Sequence, residues 1–217
     1  AREDEVDTIL TCDNGIAAFE EISLARDYGM TVIVTDHHEV PYTEENGNKE
    51  YHLPPADVVV DPKQSADTSH FKGICGALIA YKLIEALCEK SGEEEKKKSL
   101  QKELLPFAAL ATVCDVMELR DENRIIVKYG MQQMKETENP GLLALLQVND
   151  LMDKELSPYH AGFILGPCLN ATGRLDSADR ALRLFEETDF KKAVTEAYDL
   201  KSLNDSRKQM TEDGVSE

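Results

Sequence analysis

The sequence predicts an α/β protein in which a parallel sheet with flanking helices is followed by a helical segment and a long terminal helix. Three features carry that expectation. Short β-branched runs alternate with stretches of helical apolar spacing as far as Asp115. Those runs look apolar on both faces, as strands covered by helices do. Beyond Asp115, only helical periodicity is visible.

Val6 to Cys12 is the first strand, ending at the turn signal Asp13-Asn14-Gly15. Ile16 to Tyr28 sets Ile16, Phe19, Ile22, Leu24 and Ala25 at helical spacing and stops at Gly29. Thr31 to Thr35 is the second strand and runs into Asp36-His37-His38-Glu39. The polar stretch from Pro41 to Pro55, with Asn46-Gly47 inside it, is expected to be an exposed loop near the sheet's edge. Ala56 to Val60 is the third strand, closed by Asp61-Pro62. Strand, helix and strand at this spacing make a βαβ unit with a right-handed crossover.

After Pro62 the pattern turns helical. Gly73 to Lys90 carries an Ala/Leu/Ile face, and Ser91 to Lys98 reads as a charged, solvated stretch. Leu104 to Val113 is a second apolar helix leading to Cys114-Asp115, followed by helices over Glu122 to Lys135 and Pro140 to Gln147. From Ser157 a Gly/Pro/Asn-rich passage, GFILGPCLNATGRL, is flanked by helices. Phe190 to Met210 is one long helix with charged residues all round and no obvious cap. An opening directly on a strand and an uncapped last helix are expected of a piece of a longer protein.

Composition narrows the function classes. The chain has 217 residues, with 24 Lys plus Arg against 42 Asp plus Glu, for a formal charge of −18. An acidic surface of this kind does not hold nucleic acid by general basic attraction, so phosphate binding requires a local reversal of sign. No apolar run approaches the roughly 20 residues of a membrane helix. The charged N-terminus shows no signal-peptide pattern. Five cysteines without a C-x-x-C pair argue against a disulfide framework or a structural zinc site. A cytoplasmic protein is expected.

Ligands of open parallel sheets bind beyond the carboxyl ends of the strands. Asp13 follows the first strand and Asp36-His37-His38 the second, so two carboxylates and two imidazoles reach one rim. Asp115 follows an apolar helix whose loop is able to return there. Asp and His suit a divalent ion such as Mn²⁺. Paired ions about 3.5–4 Å apart suit attack of water on phosphorus, and they would supply the local positive charge. Plainer readings stand beside these: Asp13 before Asn-Gly as a turn former, the His pair as inert and exposed, Asp115 as a helix cap. Both imidazoles face one site only if the chain has left the strand after Thr35.

The segments T-C-D-N-G, V-T-D-H-H-E, G-I-C-G-A-L-I-A-Y-K-L, A-T-V-C-D-V-M-E-L-R-D-E-N-R and G-P-C-L-N-A-T-G-R-L occur in this order. Together they closely resemble the DHH phosphoesterase family, in its RecJ-like branch of single-strand-specific exonucleases, from about Val6 to the terminal helix. The resemblance implies a DHH-type, Rossmann-like catalytic core over residues 1–188, with a sheet part at 1–115 and a helical part at 116–188. Residues 189–217 then form a connector helix toward a C-terminal domain absent from this sequence.

On that resemblance Asp13 is the bridging carboxylate, His37 a metal-binding imidazole and Asp115 the carboxylate that completes one metal's ligands. His38 faces the scissile phosphate, and Asp36, the other catalytic residue, fixes an imidazole. Asn170, Gly173 and Arg174 match the substrate-binding motif, with Arg174 as a phosphate grip. The implied activity is Mn²⁺- or Mg²⁺-dependent hydrolysis of single-stranded DNA from one end through a two-metal site, serving DNA repair and recombination. The alternatives are a family member acting on short oligonucleotides or cyclic dinucleotides, or a non-catalytic nucleic-acid-binding relative. Two departures stand out. The family's Asp-x-Asp motif is absent, and Ile164 and Cys168 occupy positions that commonly carry arginine. This chain alone is therefore expected to bind divalent metal weakly or not at all and not to hydrolyse DNA. Its first strand is expected to offer an unpaired edge through which two copies could pair.

Overall fold

The computed structural model describes residues 1–216 other than 176, and their side chains except at 174, 175 and 214–216. The chain divides into two compact units, Ala1–Lys97 with Met117–Asn123, and Lys98–Val116 with Arg124–Glu217.

In the first unit the β-branched runs form β1 (Thr8–Cys12), β2 (Thr31–Thr35) and β5 (Val58–Val60), a parallel sheet in the order β1-β2-β5. Cys12 pairs with Thr35 and Thr35 with Val60, so all three strands end at one level. Helix α1 (Phe19–Asp27) connects β1 to β2, and α2 (Gly76–Ser91) follows the sheet. The α/β parallel-sheet expectation holds, with one adjustment. The central strand β2 is largely buried, and Val32 and Val34 pack with Ile22 of α1. Its neighbours expose Leu10, Val58 and Val60 on one face, so the outer strands are covered less completely than apolar runs suggest. The third strand is also shorter than expected. Asp57 turns its carboxylate onto the Val32 N–H at 2.8 Å and onto Arg26 at 2.8 Å, and ladder pairing begins at Val58.

The stretch expected as a loop contains an antiparallel hairpin, β3 (Tyr42–Glu45) and β4 (Asn48–Tyr51). Asn46 and Gly47 take φ values of +52° and +80°, as a two-residue type I′ turn requires. The prolines lie outside the paired residues, so they do not interrupt the ladder. Every residue of both strands is exposed, and Tyr42 meets Tyr51 across the ladder with ring centroids 5.7 Å apart.

Helix α3 (Glu94–Cys114) begins within the charged stretch read as solvated connection; Glu94 and Glu95 in its first turn favour the positive end of the helix. Helices α4 (Asp121–Met134) and α5 (Pro140–Val148) follow as expected, and Asn139 caps α5 by accepting the Leu142 N–H at 2.9 Å. The Gly/Pro/Asn-rich passage is itself helical: α6 (Pro158–His160), a π-helical turn (Ala161–Leu165) and α7 (Gly166–Leu175). Its prolines do not break it. Pro158 occupies the first helical position, and Pro167 falls where the hydrogen-bond register changes from π to α.

Helix α8 (Asp179–Glu186) precedes α9 (Phe190–Ser216), which is not polar all round. Ala193, Ala197, Leu200 and Asn204 form a buried seam that packs on α5 and α7. With Leu142, Leu145, Leu146, Leu165 and Leu184 this seam makes the core of the second unit.

Candidate metal centre

The three parallel strands end side by side, and the backbone continues the ladder one residue further. The Asp13 N–H donates to Thr35 O at 3.0 Å, and the Asp36 N–H to Val60 O at 3.0 Å. Asp13 has φ +63°, a left-handed conformation that Asp tolerates better than most side chains. That turn lifts its carboxylate off the strand and sets Oδ1 3.0 Å from His37 Nε2. Glycines close this turn tightly: Gly15 packs it against Thr11 and Val34, and Gly76 makes room for the carboxylate itself. A Cβ on Gly15, at φ +109°, would stand 2.8 Å from Thr11 Oγ1. A Cβ on Gly76 would stand 2.3 Å from Asp13 Oδ1 and 2.5 Å from Asp13 Cβ. Gly76 is the first residue of the 16-residue helix α2, so the Asp13 carboxylate lies against the positive end of that helix.

Asp36, 1% exposed, is the hub beneath the imidazoles. Its Oδ2 accepts the Ile16 N–H at 2.9 Å; its Oδ1 accepts the His37 N–H at 2.8 Å and the His38 N–H at 3.3 Å, and lies 2.7 Å from His38 Nδ1. Burial pushes this carboxyl up, but the donors from Ile16, His38 and His37 outweigh it and hold Asp36 below its ordinary value. A carboxylate so occupied positions its neighbours. The hold on Nδ1 leaves Nε2 as the outward edge of the exposed His38 ring. The His37 and His38 rings lie 4.6 Å apart between centroids, tilted by 55°. Ligand atoms of Asp13, His37 and His38 all fall within 4.8 Å of one another, a group able to hold a divalent ion. Both histidines reach it because the strand stops at Thr35.

Asp61, directly after β5, reads in the sequence only as half of an Asp-Pro turn signal. It is 1% exposed, and its Oδ1 accepts the Lys63 N–H at 2.7 Å. Burial pushes its carboxyl up, the Lys63 N–H opposes this, and the nearby Asp36 charge adds to the rise. The strand-end rule that selected Asp13 and Asp36 would have selected Asp61 too.

Asp115 lies in the second unit, exposed just past α3, with its N–H on Ala111 O at 2.8 Å and Val116 following at φ +57°. Asn170 and Gly173, one turn apart on α7, are exposed. The Arg174 side chain lies outside the described residues. Cys168 is fully buried and Ile164 packs against the same core. These two positions, expected on the substrate side, thus serve the core of the second unit. Burial also pushes the Cys168 thiol up, as in an inert packed cysteine. His52 pairs with Thr43 in the hairpin, and His160 caps its own helix through Ser157.

A parallel sheet that presents Asp13 and His37 from adjacent strand ends defines an α/β protein with a candidate metal centre. The chain belongs to the DHH family: residues 2–112 match the DHH family, N-terminal domain. It is 38% identical over 202 residues to the single-stranded-DNA-specific exonuclease RecJ of Bacillus subtilis, covering 93% of this chain and 23% of that protein. It is 32% identical over 216 residues to RecJ of Haemophilus influenzae, covering 97% of this chain and 36% of that protein. A solved structure of exonuclease RecJ bound to manganese superposes with a TM-score of 0.80 at 30% identity, over 99% of this chain and 50% of the other. RecJ from Thermus thermophilus in complex with Mn²⁺ gives 0.79 at 30%, over 99% and 30%. The chain thus spans between 23% and 36% of these two curated relatives.

Proposed function

We propose that this chain is the core of a divalent-metal-dependent phosphodiesterase that hydrolyses single-stranded DNA from one end. The observation that carries the reading is the placement of the Asp13 carboxylate 3.0 Å from His37 Nε2 at adjacent strand ends. The names of the relatives, single-stranded-DNA-specific exonucleases, and the manganese in two solved neighbours support it.

Asp13 and His37 would hold Mn²⁺ or Mg²⁺, and Asp115 joins them as a further carboxylate on the strength of its Val-Cys-Asp-Val motif. When bound, such an ion activates water and offsets phosphate charge, which an acidic protein otherwise repels. His38 presents Nε2 to the scissile phosphate while Asp36 fixes its other nitrogen. Asn170, Gly173 and Arg174 grip the strand. The activity belongs to DNA repair and recombination in the cytoplasm. Among the described residues no helix is long and apolar enough to cross a membrane, and β1 pairs only with β2, leaving the edge along which a second copy would pair.

The test is Mn²⁺-dependent digestion of end-labelled single strands, duplexes and cyclic dinucleotides by the natural protein that carries this sequence. Release of nucleotides from single strands, lost in His37→Ala, is expected. Preferential cleavage of cyclic dinucleotides would instead support the sister activity.

A further inference from the structure

Helix α4 carries a surface that the proposed reaction leaves unused. Its Gly130 lies so close against α3 that an added Cβ would stand 2.3 Å from Ala109 Cβ and 2.7 Å from Leu105 O. Val127, Met131 and Met134 are buried with it. The other face is turned outward: Arg124, Lys128 and, just past the last turn, Lys135 are exposed, with Ile125 and Tyr129 57% and 52% exposed beside them. Helical geometry sets Arg124 and Lys128 about 40° apart round the axis and about 6 Å apart along it; the same rise brings Lys135 to that side about 10 Å further on. No Asp or Glu occurs from Arg124 to Lys135, in a chain with 42 acidic residues among 217. None of the three cations forms an ion pair with a described residue, whereas Lys63, Lys82 and Arg180 are answered by Glu39, Glu122 and Asp199. Helix stability accounts for only part of the row. Lys135 suits the negative end of the helix dipole, but Arg124 stands in the first turn, where the dipole opposes a cation.

We propose that this face of α4 is a docking surface for a nucleic-acid single strand, with Arg124, Lys128 and Lys135 against its phosphates and Tyr129 against an unpaired base. This rests on the reading of the chain as part of a single-strand nuclease, and it gives the strand a hold that does not depend on metal ions. Charge selects a polyanion. A chain of formal charge −18 repels phosphate in general, so a row of unanswered cations is a place where the sign reverses. The apolar residues select among polyanions. Lys128 Nζ lies 5.5 Å from the centroid of the Tyr129 ring, which sets charge and ring side by side. A single strand offers phosphates and open base faces together, whereas a duplex hides those faces and an acidic peptide has carboxylates alone.

The test is equilibrium binding of end-labelled oligothymidylate to the natural protein that carries this sequence, followed by fluorescence anisotropy in EDTA so that the strand stays whole. Each phosphate contact on a single strand contributes about 0.7 to the slope of log affinity against log salt. Arg124→Gln, Lys128→Gln and Lys135→Gln combined should therefore flatten the slope by about 2, so that the advantage of wild type shrinks roughly 20-fold between about 50 and 200 mM salt. Tyr129→Ala should weaken binding about 5-fold or more at every salt concentration and leave the slope alone. Two further triples hold shape and net charge in check. Arg124→Lys with Lys128→Arg and Lys135→Arg should keep the wild-type slope. Lys154→Gln, Lys191→Gln and Lys192→Gln, which remove the same charge from other exposed positions, should keep it too. Equal flattening in both Gln triples would overturn the proposal, because net charge alone would then explain it. An unchanged slope in the α4 triple, or unchanged affinity in Tyr129→Ala, would also overturn it; continued Mn²⁺-dependent digestion of single strands would then leave the proposed function standing. Wild-type protein that neither binds nor digests single strands would overturn both. Binding of labelled oligoaspartate that is lost in the α4 triple, with oligothymidylate affinity unaffected, would assign the face to an acidic protein segment and overturn the proposal.

Discussion

Replacing Gly76 by alanine should damage the site more than any other single methyl addition in the Gly-Ile-Cys-Gly segment. The new Cβ would stand 2.3 Å from Asp13 Oδ1, 2.6 Å from Cγ and 2.5 Å from Cβ. A clash with a side-chain tip alone is relieved by rotation about χ1. Here Asp13 Cβ is itself too close, and it moves only with its backbone, which is already held at φ +63° and tied to Thr35 O. Ordinary contact distances of about 3.5–4.0 Å therefore require α2 and the Asp13 turn to separate by roughly 1 Å. Overpacking of this kind costs about 1–3 kcal/mol, and for a chain of this size that lowers Tm by roughly 2–12 °C. A misplacement near 1 Å is enough to reduce a geometry-dependent function by about 100-fold.

The control lies three residues earlier, before the helix begins. A Cβ on Gly73 would meet only the Phe71 ring, at 3.2–3.3 Å, so Gly73→Ala should shift Tm little and leave the site intact. Thermal unfolding and Mn²⁺ titration of both variants, made in the natural protein that carries this sequence, decide the matter. Equal Tm and equal Mn²⁺ affinity for Gly76→Ala and wild type would refute the claim that the helix start and the Asp13 carboxylate are fitted to each other.

Asp13→Asn, made in that same natural protein, should keep its Tm, because Asn also accepts the left-handed backbone, yet lose most Mn²⁺ affinity in titration; a matching affinity would remove Asp13 from the ligand set. Asp36→Ala strands the Ile16 and His37 N–H groups and should cost about 2–6 kcal/mol in urea denaturation. The folded value of Asp36 is depressed, so its contribution is present above the ordinary carboxylate range and is lost as pH falls through the folded value; the gap between wild type and Asp36→Ala should narrow on acidification. Asp61 has the opposite sign. Its raised folded value means that charging it opposes folding as pH rises, so Asp61→Asn should match or exceed wild-type Tm at neutral pH, with the difference closing toward about pH 4. Gly47→Ala, at φ +80°, should loosen the hairpin in hydrogen exchange by about 1 kcal/mol while leaving the global Tm unchanged.

What the sequence disclosed, and what it hid, follows from the reach of each interaction. The parallel sheet was legible because strand-forming runs are local, and a parallel sheet collects its chemistry at strand ends whatever the rest of the chain does. The hairpin at 42–51 was hidden by composition: polar, exposed strands bury nothing, so the Asn-Gly turn was their one local signal. The seam of α9 was hidden by sparseness, since two alanines, a leucine and an asparagine amid charges look like a solvated helix until α5 and α7 cover them. Glycines and prolines in 158–175 suggested irregular chain, yet each proline falls where a helix tolerates a missing N–H.

Asp36 and Asp61 show the limit most clearly. Each stands one residue past a strand of the same sheet, each is 1% exposed, and adjacent ladder positions carry them. Local sequence gives them the same standing. Four donors converge on the first and hold it ionised, whereas one backbone N–H reaches the second, so burial prevails there. The difference arises because the β1–α1 turn returns Ile16 to Asp36, twenty residues away in sequence, while the chain after Asp61 supplies only its own turn. Whether a strand-end carboxylate is a satisfied anchor or one still seeking a partner is decided by what the fold brings to it.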